Sequence, residues 1–386
     1  MKDIKVIINN HEVGNLFFEK EKNQYGFNYT QDFKPISLIM PYKTSSYIWH
    51  YKLHPIFDMN MPEGYLFEIF KKYLTKEYGY IDDFLVFSHI CSNIQSRLSY
   101  KSFVNQKEFL SLDIDEVLQN DSQDTFTKIV TTFLDKNAIS GVQPKLLLKA
   151  FDKTTMKFEN YIVKSWENNY PNLALNEYFC MKACSYAKLP TPEFYISDDF
   201  KMFVMKRFDI LEDGTYLGFE DMCVLTARGV ENKYEGSYEE CARVIKDIIS
   251  PKYKKESLKI FFKSLVMNHL LKNGDAHLKN YGILYENDFN DSFLAPIYDV
   301  ITTKIYIKND IPALRLSDGK LWWKEKTYKN FAKLSCNLTN AEYETILDEC
   351  SEAIKLTKNE IQEFVKKYPK QKNFLDSLIE CWSENL

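Results

Sequence analysis

The sequence predicts an α+β protein of two lobes, preceded by a small α+β module. Three observations carry this. Short runs with apolar–polar alternation crowd the first forty residues. Between 145 and 206, β-branched and aromatic runs of strand length surround one long apolar helix pattern. From 237 onward helical periodicity dominates, interrupted only by two strand-length runs at 281–285 and 293–298.

Residues 3–10 and 13–19 alternate around Asn9-Asn10-His11, which reads as a hairpin, with further strands at 24–30 and 36–40. Helices follow at 65–78, after the Pro62-Glu63-Gly64 turn, and at 82–99, with Asp82 as N-cap. The stretch 101–121 is polar and carries Asp113, Asp115 and Glu116, which places a boundary there and leaves 1–105 as an N-terminal subdomain. A second unit, 122–210, opens with a helix over 122–135 and the stretch Ala138-Ile139-Ser140-Gly141-Val142-Gln143-Pro144-Lys145. Its strands are expected at 145–151, 160–165, 193–197 and 201–206, with a turn at 152–155 and a helix at 172–188 between Pro171 and Pro190. The third unit, 211–386, should hold helices at 237–250, 257–272, 328–335, 340–352, 358–368 and 371–383.

Composition narrows the function classes. The 386 residues are 45% hydrophobic and 15% aromatic, which suits a folded chain with a sizeable core. A net charge of −4 gives no overall basic character of the kind that marks nucleic-acid binding. No apolar run approaches the roughly 20 residues that cross a bilayer, and Met1-Lys2-Asp3-Ile4-Lys5 lacks a signal peptide's apolar region, so a cytoplasmic protein without membrane contact is expected. The eight cysteines form no metal-ligand spacing; Cys180 and Cys184 read as buried free thiols on an apolar helix.

The chemistry concentrates at Asn273-Gly274-Asp275-Ala276-His277-Leu278-Lys279-Asn280 and at Asp299, 19 residues after Asn280. An aspartate five residues before an asparagine, then a strand, then a second aspartate, is the spacing of protein-kinase-type phosphoryl transfer. In that scheme Asp275 orients the attacking hydroxyl, while Asn280 and Asp299 offer the hard oxygen ligands that Mg²⁺ prefers. The fold class is then a bilobed protein-kinase-like fold with a mainly helical C-terminal lobe. Lys164, closing the strand Tyr161-Ile162-Val163-Lys164, supplies the cation for the nucleotide phosphates, with Lys145 as the alternative. Glu177, a lone charge among apolar helix neighbours, is placed to pair with Lys164. Ser140, Gly141, Val142 and Gln143 form a candidate phosphate loop, since glycine lets a backbone approach a ligand closely. Met205-Lys206-Arg207-Phe208-Asp209 is the expected interlobe hinge, with Lys206 and Phe208 at the base. His277 reads as a loop hydrogen-bonding residue beside the nucleotide and not as a metal ligand, because no second histidine stands at ligand spacing.

Together these motifs resemble the HipA-like serine/threonine kinases, toxin components of bacterial toxin–antitoxin systems. The resemblance rests on the stretches just quoted, on Asn176-Glu177-Tyr178-Phe179, Glu220-Asp221-Met222-Cys223 and Ala295-Pro296-Ile297-Tyr298-Asp299-Val300, and on their order over 138–300. The Val13-Gly14 hairpin and the Met61-Pro62-Glu63-Gly64 turn look like the family's N-terminal subdomain. It implies ATP and Mg²⁺ as cofactors and a protein substrate in translation, such as an aminoacyl-tRNA synthetase. It also implies growth arrest as the outcome and a helix-turn-helix antitoxin as partner, through which DNA is contacted. It makes Asp275 the catalytic aspartate, Asn280 and Asp299 the metal ligands and Lys164 the ATP lysine. Lys206 and Phe208 become adenine contacts, and Ser140 to Gln143 the phosphate loop. Relatives often carry a serine-x-serine pair whose autophosphorylation ejects this loop; here the pair reads Ala138-Ile139-Ser140, leaving Ser140 as the candidate modified residue. Two other readings share these residues: a small-molecule phosphotransferase, and a non-catalytic kinase fold serving as a repression partner.

Overall fold

The computed structural model describes residues 3–62, 64–104, 114–119, 122–136, 153–157, 160–166, 170–287, 289–317, 319–322 and 324–382. Strands β1 (Ile4–Ile8) and β2 (His11–Glu19) form the expected hairpin. Asn9 and Asn10 both hold positive φ, 48° and 63°, the conformation a tight two-residue hairpin turn requires. β3 (Gln24–Tyr29) and β4 (Tyr47–His50) extend the sheet, and β5 (Leu98–Lys101) closes it in the order β4-β3-β2-β1-β5.

Two expectations fail in this module. Residues 36–40 form no strand, because side chains take their backbone donors: Ile36 N–H donates to the Tyr29 hydroxyl (2.9 Å) and Leu38 N–H to the Glu220 carboxylate (2.8 Å). The helix expected over 82–99 ends at Ile90, and β5 occupies its far end. Leu98 and Tyr100 are buried between exposed Ser99 and Lys101, a period of two that pairs with β1. Helices α1 (Pro55–Asp58), α2 (Gly64–Tyr78) and α3 (Asp83–Ile90) cover the sheet.

The core beneath them continues into the next unit. Helix α4 (Ile114–Gln119) lies inside the stretch read as a polar boundary, and α5 (Ser122–Lys136) follows. Phe126, Ile129, Val130 and Leu134 of α5 join Phe57, Phe70 and Phe87 in one apolar cluster, together with Val163, Met202 and Val204. Those last three lie on a four-stranded antiparallel sheet, β6 (Lys153–Lys157), β7 (Tyr161–Trp166), β8 (Phe194–Ile196) and β9 (Met202–Lys206), ordered β6-β7-β9-β8. β6 stands where a turn at 152–155 was expected; the strand expected at 145–151 and the loop at 140–143 lie outside the described residues. The opposite side of the sheet, Phe203 and Met205, faces helix α6 (Leu173–Tyr186) and the large lobe's core. The sheet is therefore a wall between two cores.

Beyond the hinge, β10 (Gly218–Asp221) leads into the short helix α7 (Met222–Leu225), then α8 (Tyr238–Ile248) and α9 (Pro251–Leu270). Ser237 caps α8, its hydroxyl accepting from Glu240 N–H. β11 (Gly282–Tyr285) and β12 (Ser292–Leu294) complete a small sheet ordered β10-β11-β12. β12 ends at Leu294, short of the expected 298, before Pro296, which cannot donate to a ladder. Helices α10 (Glu325–Leu334), α11 (Asn340–Lys367) and α12 (Lys372–Cys381) finish the lobe. α11 is one helix of 28 residues and not the two expected, since Ala353, Ile354 and Thr357 keep its buried face continuous. Among the described residues no helix is long and apolar enough to cross a membrane.

Candidate functional site

Lys164 sits on β7 next to Val163, so its backbone is fixed by the sheet while its side chain turns toward α6. There its Nζ donates to Glu177 Oε1 at 2.7 Å and to Asp299 Oδ1 at 2.5 Å. Glu177 is wholly buried and Lys164 nearly so, whereas the Asp299 side chain keeps 37% of its surface in solvent. Burial works against the Lys164 charge, but Asp299 and Glu177 outweigh it and hold the ammonium above its ordinary range. Burial lifts the Glu177 carboxyl, with Lys164 pulling against it. Desolvation by the surrounding protein works to raise the half-exposed Asp299 carboxyl, yet Lys164 keeps it below the usual carboxylate range. The lysine is thus held charged between one carboxylate from the small lobe and one from the large lobe.

Asp299 stands in the left-handed region with φ 61°, a conformation a non-glycine residue holds only where its surroundings fix it. Those surroundings are visible. Three residues on, Thr302 N–H donates to Asn176 Oδ1 (2.8 Å), and Asn176 Nδ2 donates back to the Thr302 carbonyl (2.9 Å). This reciprocal amide pair ties the Asp299 segment to α6 one residue away from Glu177. The Trp382 indole N–H donates to Thr302 Oγ1 at 2.7 Å and so adds the end of the chain's last helix to the same node.

Asn280, on the short turn Leu278–Asn280 after the Asp275 loop, reaches Asp299 from the other side. Its Nδ2 donates to the Asp299 carbonyl (3.1 Å) and to Oδ2 (3.3 Å), so the amide nitrogen and not the oxygen faces the carboxylate. The Asn280 Oδ1 is buried with no hydrogen-bond partner. A buried amide oxygen left unsatisfied beside an ionised carboxylate suits a hard cation, and Mg²⁺ is commonly held by just one or two protein oxygens plus phosphates and water. Asn280 and Asp299 therefore fit Mg²⁺, and the Lys164 ammonium lies beside them.

Asp275 is set by the loop itself. Asn273 Oδ1 accepts from Asp275 N–H (3.0 Å), while Asn273 Nδ2 donates to Asn268 Oδ1 (2.9 Å) at the end of α9. Gly274 N–H donates to Thr303 Oγ1 at 2.6 Å, and a Cβ at 274 would collide with the Asp310 carboxylate. Burial raises the Asp275 carboxyl, the Asp299 charge adds to this, and a hydrogen bond from Tyr234 opposes both. That bond, Tyr234 Oη to Asp275 Oδ1, is 2.6 Å long. His277 is buried beside Asp275 with its ring edge-on to Tyr234 at 5.2 Å.

At the hinge the two expected residues part. The Phe208 ring lies 5.3 Å from Tyr298, the residue before Asp299, and 5.5 Å from Phe219. Lys206 points to solvent and ion-pairs with Glu193 at 2.9 Å, away from the Lys164 cluster. The hinge is braced by Arg207, whose guanidinium takes Asp209 through Nε (2.9 Å) and Nη2 (2.7 Å) and also donates to the Gln95 carbonyl (2.7 Å).

Glu220 is fully buried and accepts from Ser37 Oγ (2.8 Å), Leu38 N–H (2.8 Å) and Tyr285 Oη (2.7 Å), joining the N-terminal module to the large lobe. Sequence reasoning named no role for Tyr234, Asn176, Thr302 or Trp382. Asn176 alone left a signal, as a polar residue inside an apolar helix pattern.

Family models match most of the chain: "HipA N-terminal domain" over residues 4–101 and "HipA-like C-terminal domain" over 137–357. A relative in Haemophilus influenzae named "Putative kinase" is 29% identical over 187 residues, 44% of this chain and 53% of its own length. "Putative kinase Y4dM" of Sinorhizobium fredii is 27% identical over 177 residues, 42% of each chain. The chain thus spans about half the length of the curated relatives it matches. A chain from the Shewanella oneidensis toxin–antitoxin complex of HipA, HipB and operator DNA superposes with a TM-score of 0.67 at 14% identity, over 98% of this chain and 96% of that one. At that identity the likeness establishes the fold, a kinase-like α+β architecture. With both halves matched in order, the chain belongs to the HipA-like family.

Proposed function

We propose that this chain is an ATP- and Mg²⁺-dependent serine/threonine protein kinase that acts as a growth-arresting toxin. Its substrate on this reading is a protein of the translation apparatus, such as an aminoacyl-tRNA synthetase. Its partner is a helix-turn-helix antitoxin, which supplies the DNA contact. One observation carries the reading: Lys164 bridges Glu177 and Asp299 while Asn280 holds the other oxygen of Asp299. That joins four positions separated by up to 135 residues in sequence into one charged node.

When bound, ATP with Mg²⁺ would supply the transferable phosphoryl group and the cation that offsets its charge. Lys164, kept cationic by its two carboxylates, meets the phosphates. Asn280 and Asp299 would hold the metal through their side-chain oxygens. Asp275 accepts the proton of the attacking hydroxyl and aligns it. Phe208 and Tyr298 offer ring surface for the base, while Lys206 contributes backbone and not its side chain at the hinge. Ser140, Gly141, Val142 and Gln143 form the phosphate loop, with Ser140 as the site of self-modification. His277 positions the catalytic loop.

The test is incubation of the full chain with γ-labelled ATP and a cell lysate, alongside Asp275→Asn. Labelling of a protein band by the wild type, lost in Asp275→Asn while Mg·ATP binding persists, is the expected result. Labelling that survives the substitution removes Asp275 from the mechanism, and label on small molecules alone favours a small-molecule phosphotransferase.

A further inference from the structure

We propose that Tyr234 occupies the acceptor position of Asp275 and thereby selects against water as the phosphoryl acceptor. The inference rests on the kinase reading above and concerns what that site admits. An acceptor hydroxyl in such an enzyme presents its proton to the catalytic carboxylate. The Tyr234 phenol makes that same bond, 2.6 Å from Oη to Asp275 Oδ1.

Tyr234 lies on the loop between the turn Val230–Asn232 and α8. The loop backbone is held in place: the Lys233 carbonyl accepts from Leu278 N–H (3.1 Å) and the Tyr234 carbonyl from Lys320 Nζ (3.1 Å). The ring itself rests edge-on against His277 and remains 42% exposed. A fixed backbone with a half-open ring lets the phenol leave by side-chain rotation alone. Leaving breaks a hydrogen bond to a charged group, which biases the covered state by roughly tenfold or more.

Acceptors differ in their ability to displace it. A water molecule brings no binding energy from elsewhere. A seryl or threonyl hydroxyl on a folded protein brings the contacts of the surrounding surface, and such remote binding can be spent on rearrangement at the reacting centre. In either reaction the acceptor oxygen bonds to the γ-phosphorus, the bond from that phosphorus to the β–γ bridging oxygen breaks, ADP leaves, and the acceptor proton passes to Asp275. With water the product is inorganic phosphate. The Tyr234 hydroxyl suppresses that wasteful branch.

The experiment uses the full chain and its Tyr234→Phe, Asp275→Asn and double variants, with Mg·ATP and no polypeptide acceptor. Tyr234→Phe should release phosphate about tenfold faster than wild type, with Mg·ATP affinity unchanged. Unchanged or slower release would overturn the inference and leave Tyr234 as a support for Asp275. The contact itself is read without turnover, by fluorine NMR of nucleotide-free protein labelled with 3-fluorotyrosine. The resonance absent from Tyr234→Phe should shift in Asp275→Asn; a resonance that stays in place overturns the inference as well. Phosphate release insensitive to Asp275→Asn defeats the kinase reading and the inference with it, whereas release absent from every variant, Tyr234→Phe included, overturns the inference alone, since protein labelling tests the kinase reading separately. Release that needs Asp275 but ignores Tyr234→Phe defeats the inference alone.

Discussion

Lys164→Met isolates the charge at the interlobe node, because methionine fills most of the space of the lysine stem while removing the ammonium. The variant leaves Glu177 and Asp299 facing one another without a cation. Removing one partner of a buried ion pair costs about 3–5 kcal/mol. Asp299 retains 37% of its side-chain surface in solvent and still receives the Asn280 amide, so most of the penalty falls on Glu177, which has none. That argues for the lower end, about 3 kcal/mol. Unfolding entropy of roughly 2.1 cal/mol/K per residue over 386 residues is about 0.8 kcal/mol/K, so Tm should fall by about 4 °C if the chain unfolds as one unit.

The loss should depend on pH with a definite sign. Burial already raises the Glu177 carboxyl to about 7 from its ordinary 4.5, and removing Lys164 raises it further. A carboxyl raised in the folded state destabilises as pH climbs above the unfolded value and costs nothing below it. The deficit of Lys164→Met against wild type should therefore be small at about pH 5, grow only above about pH 7 where wild-type Glu177 ionises, and be full at about pH 9.5. Differential scanning calorimetry at both ends of that range checks this. A deficit below about 1 °C at the higher pH, or one that grows on acidification, refutes the reasoning.

Asp299→Asn should weaken nucleotide binding about tenfold or more in Mg²⁺ and little in chelator, since on the proposed reading it removes a charged metal ligand; calorimetric titration with equal losses in both would contradict that assignment. Glu220→Gln should cost about 1 kcal/mol or less, because one amide oxygen still serves Leu38 and Tyr285 and the Ser37 hydroxyl can turn to accept. Glu220→Ala strands three donors and should cost about 3 kcal/mol or more by urea denaturation; equal effects of the two would mean the carboxylate's bonds carry no stability. Trp382→Phe removes the indole donor from Thr302 and should cost about 1–2 kcal/mol, read in the same way. An unaltered denaturation midpoint would discount that bond.

What could be read from the sequence was local or periodic. The Asn9-Asn10 turn announces its own hairpin, and Lys164 and Glu177 stand out as charges inside apolar runs of strand and helix period. The order of Asp275, Asn280 and Asp299 gave their shared site, because one short β insertion brings them together. Residues 36–40 misled because their alternation suits a strand while their donors are claimed by Tyr29 and by Glu220, the latter 182 residues away. The far end of the expected 82–99 helix went the same way, decided by an open edge on β1. Tyr234 left no trace: a tyrosine on a polar loop gains meaning only through a carboxylate 41 residues later. Asn176 and Thr302 lie 126 residues apart, and nothing local pairs them.

The N-terminal module touches both lobes, and this bears on how the cleft can move. Its core runs into the small-lobe sheet through Val163, Met202 and Val204. Its loops meet the large lobe through Glu220, through Asp58 accepting from Val230 N–H (3.3 Å), and through the Lys52–Glu231 ion pair. A third link, the Gln95 carbonyl on Arg207, fastens it to the pivot itself. Two bodies joined by one strap can swing; three bodies joined pairwise form a triangulated frame, in which no side lengthens without breaking a contact elsewhere. Traffic through this cleft then falls to loops and single side chains, with the lobes nearly still. Only removal of the Glu220, Asp58 and Lys52 links together would free that side of the frame and convert the molecule into a hinged clamp.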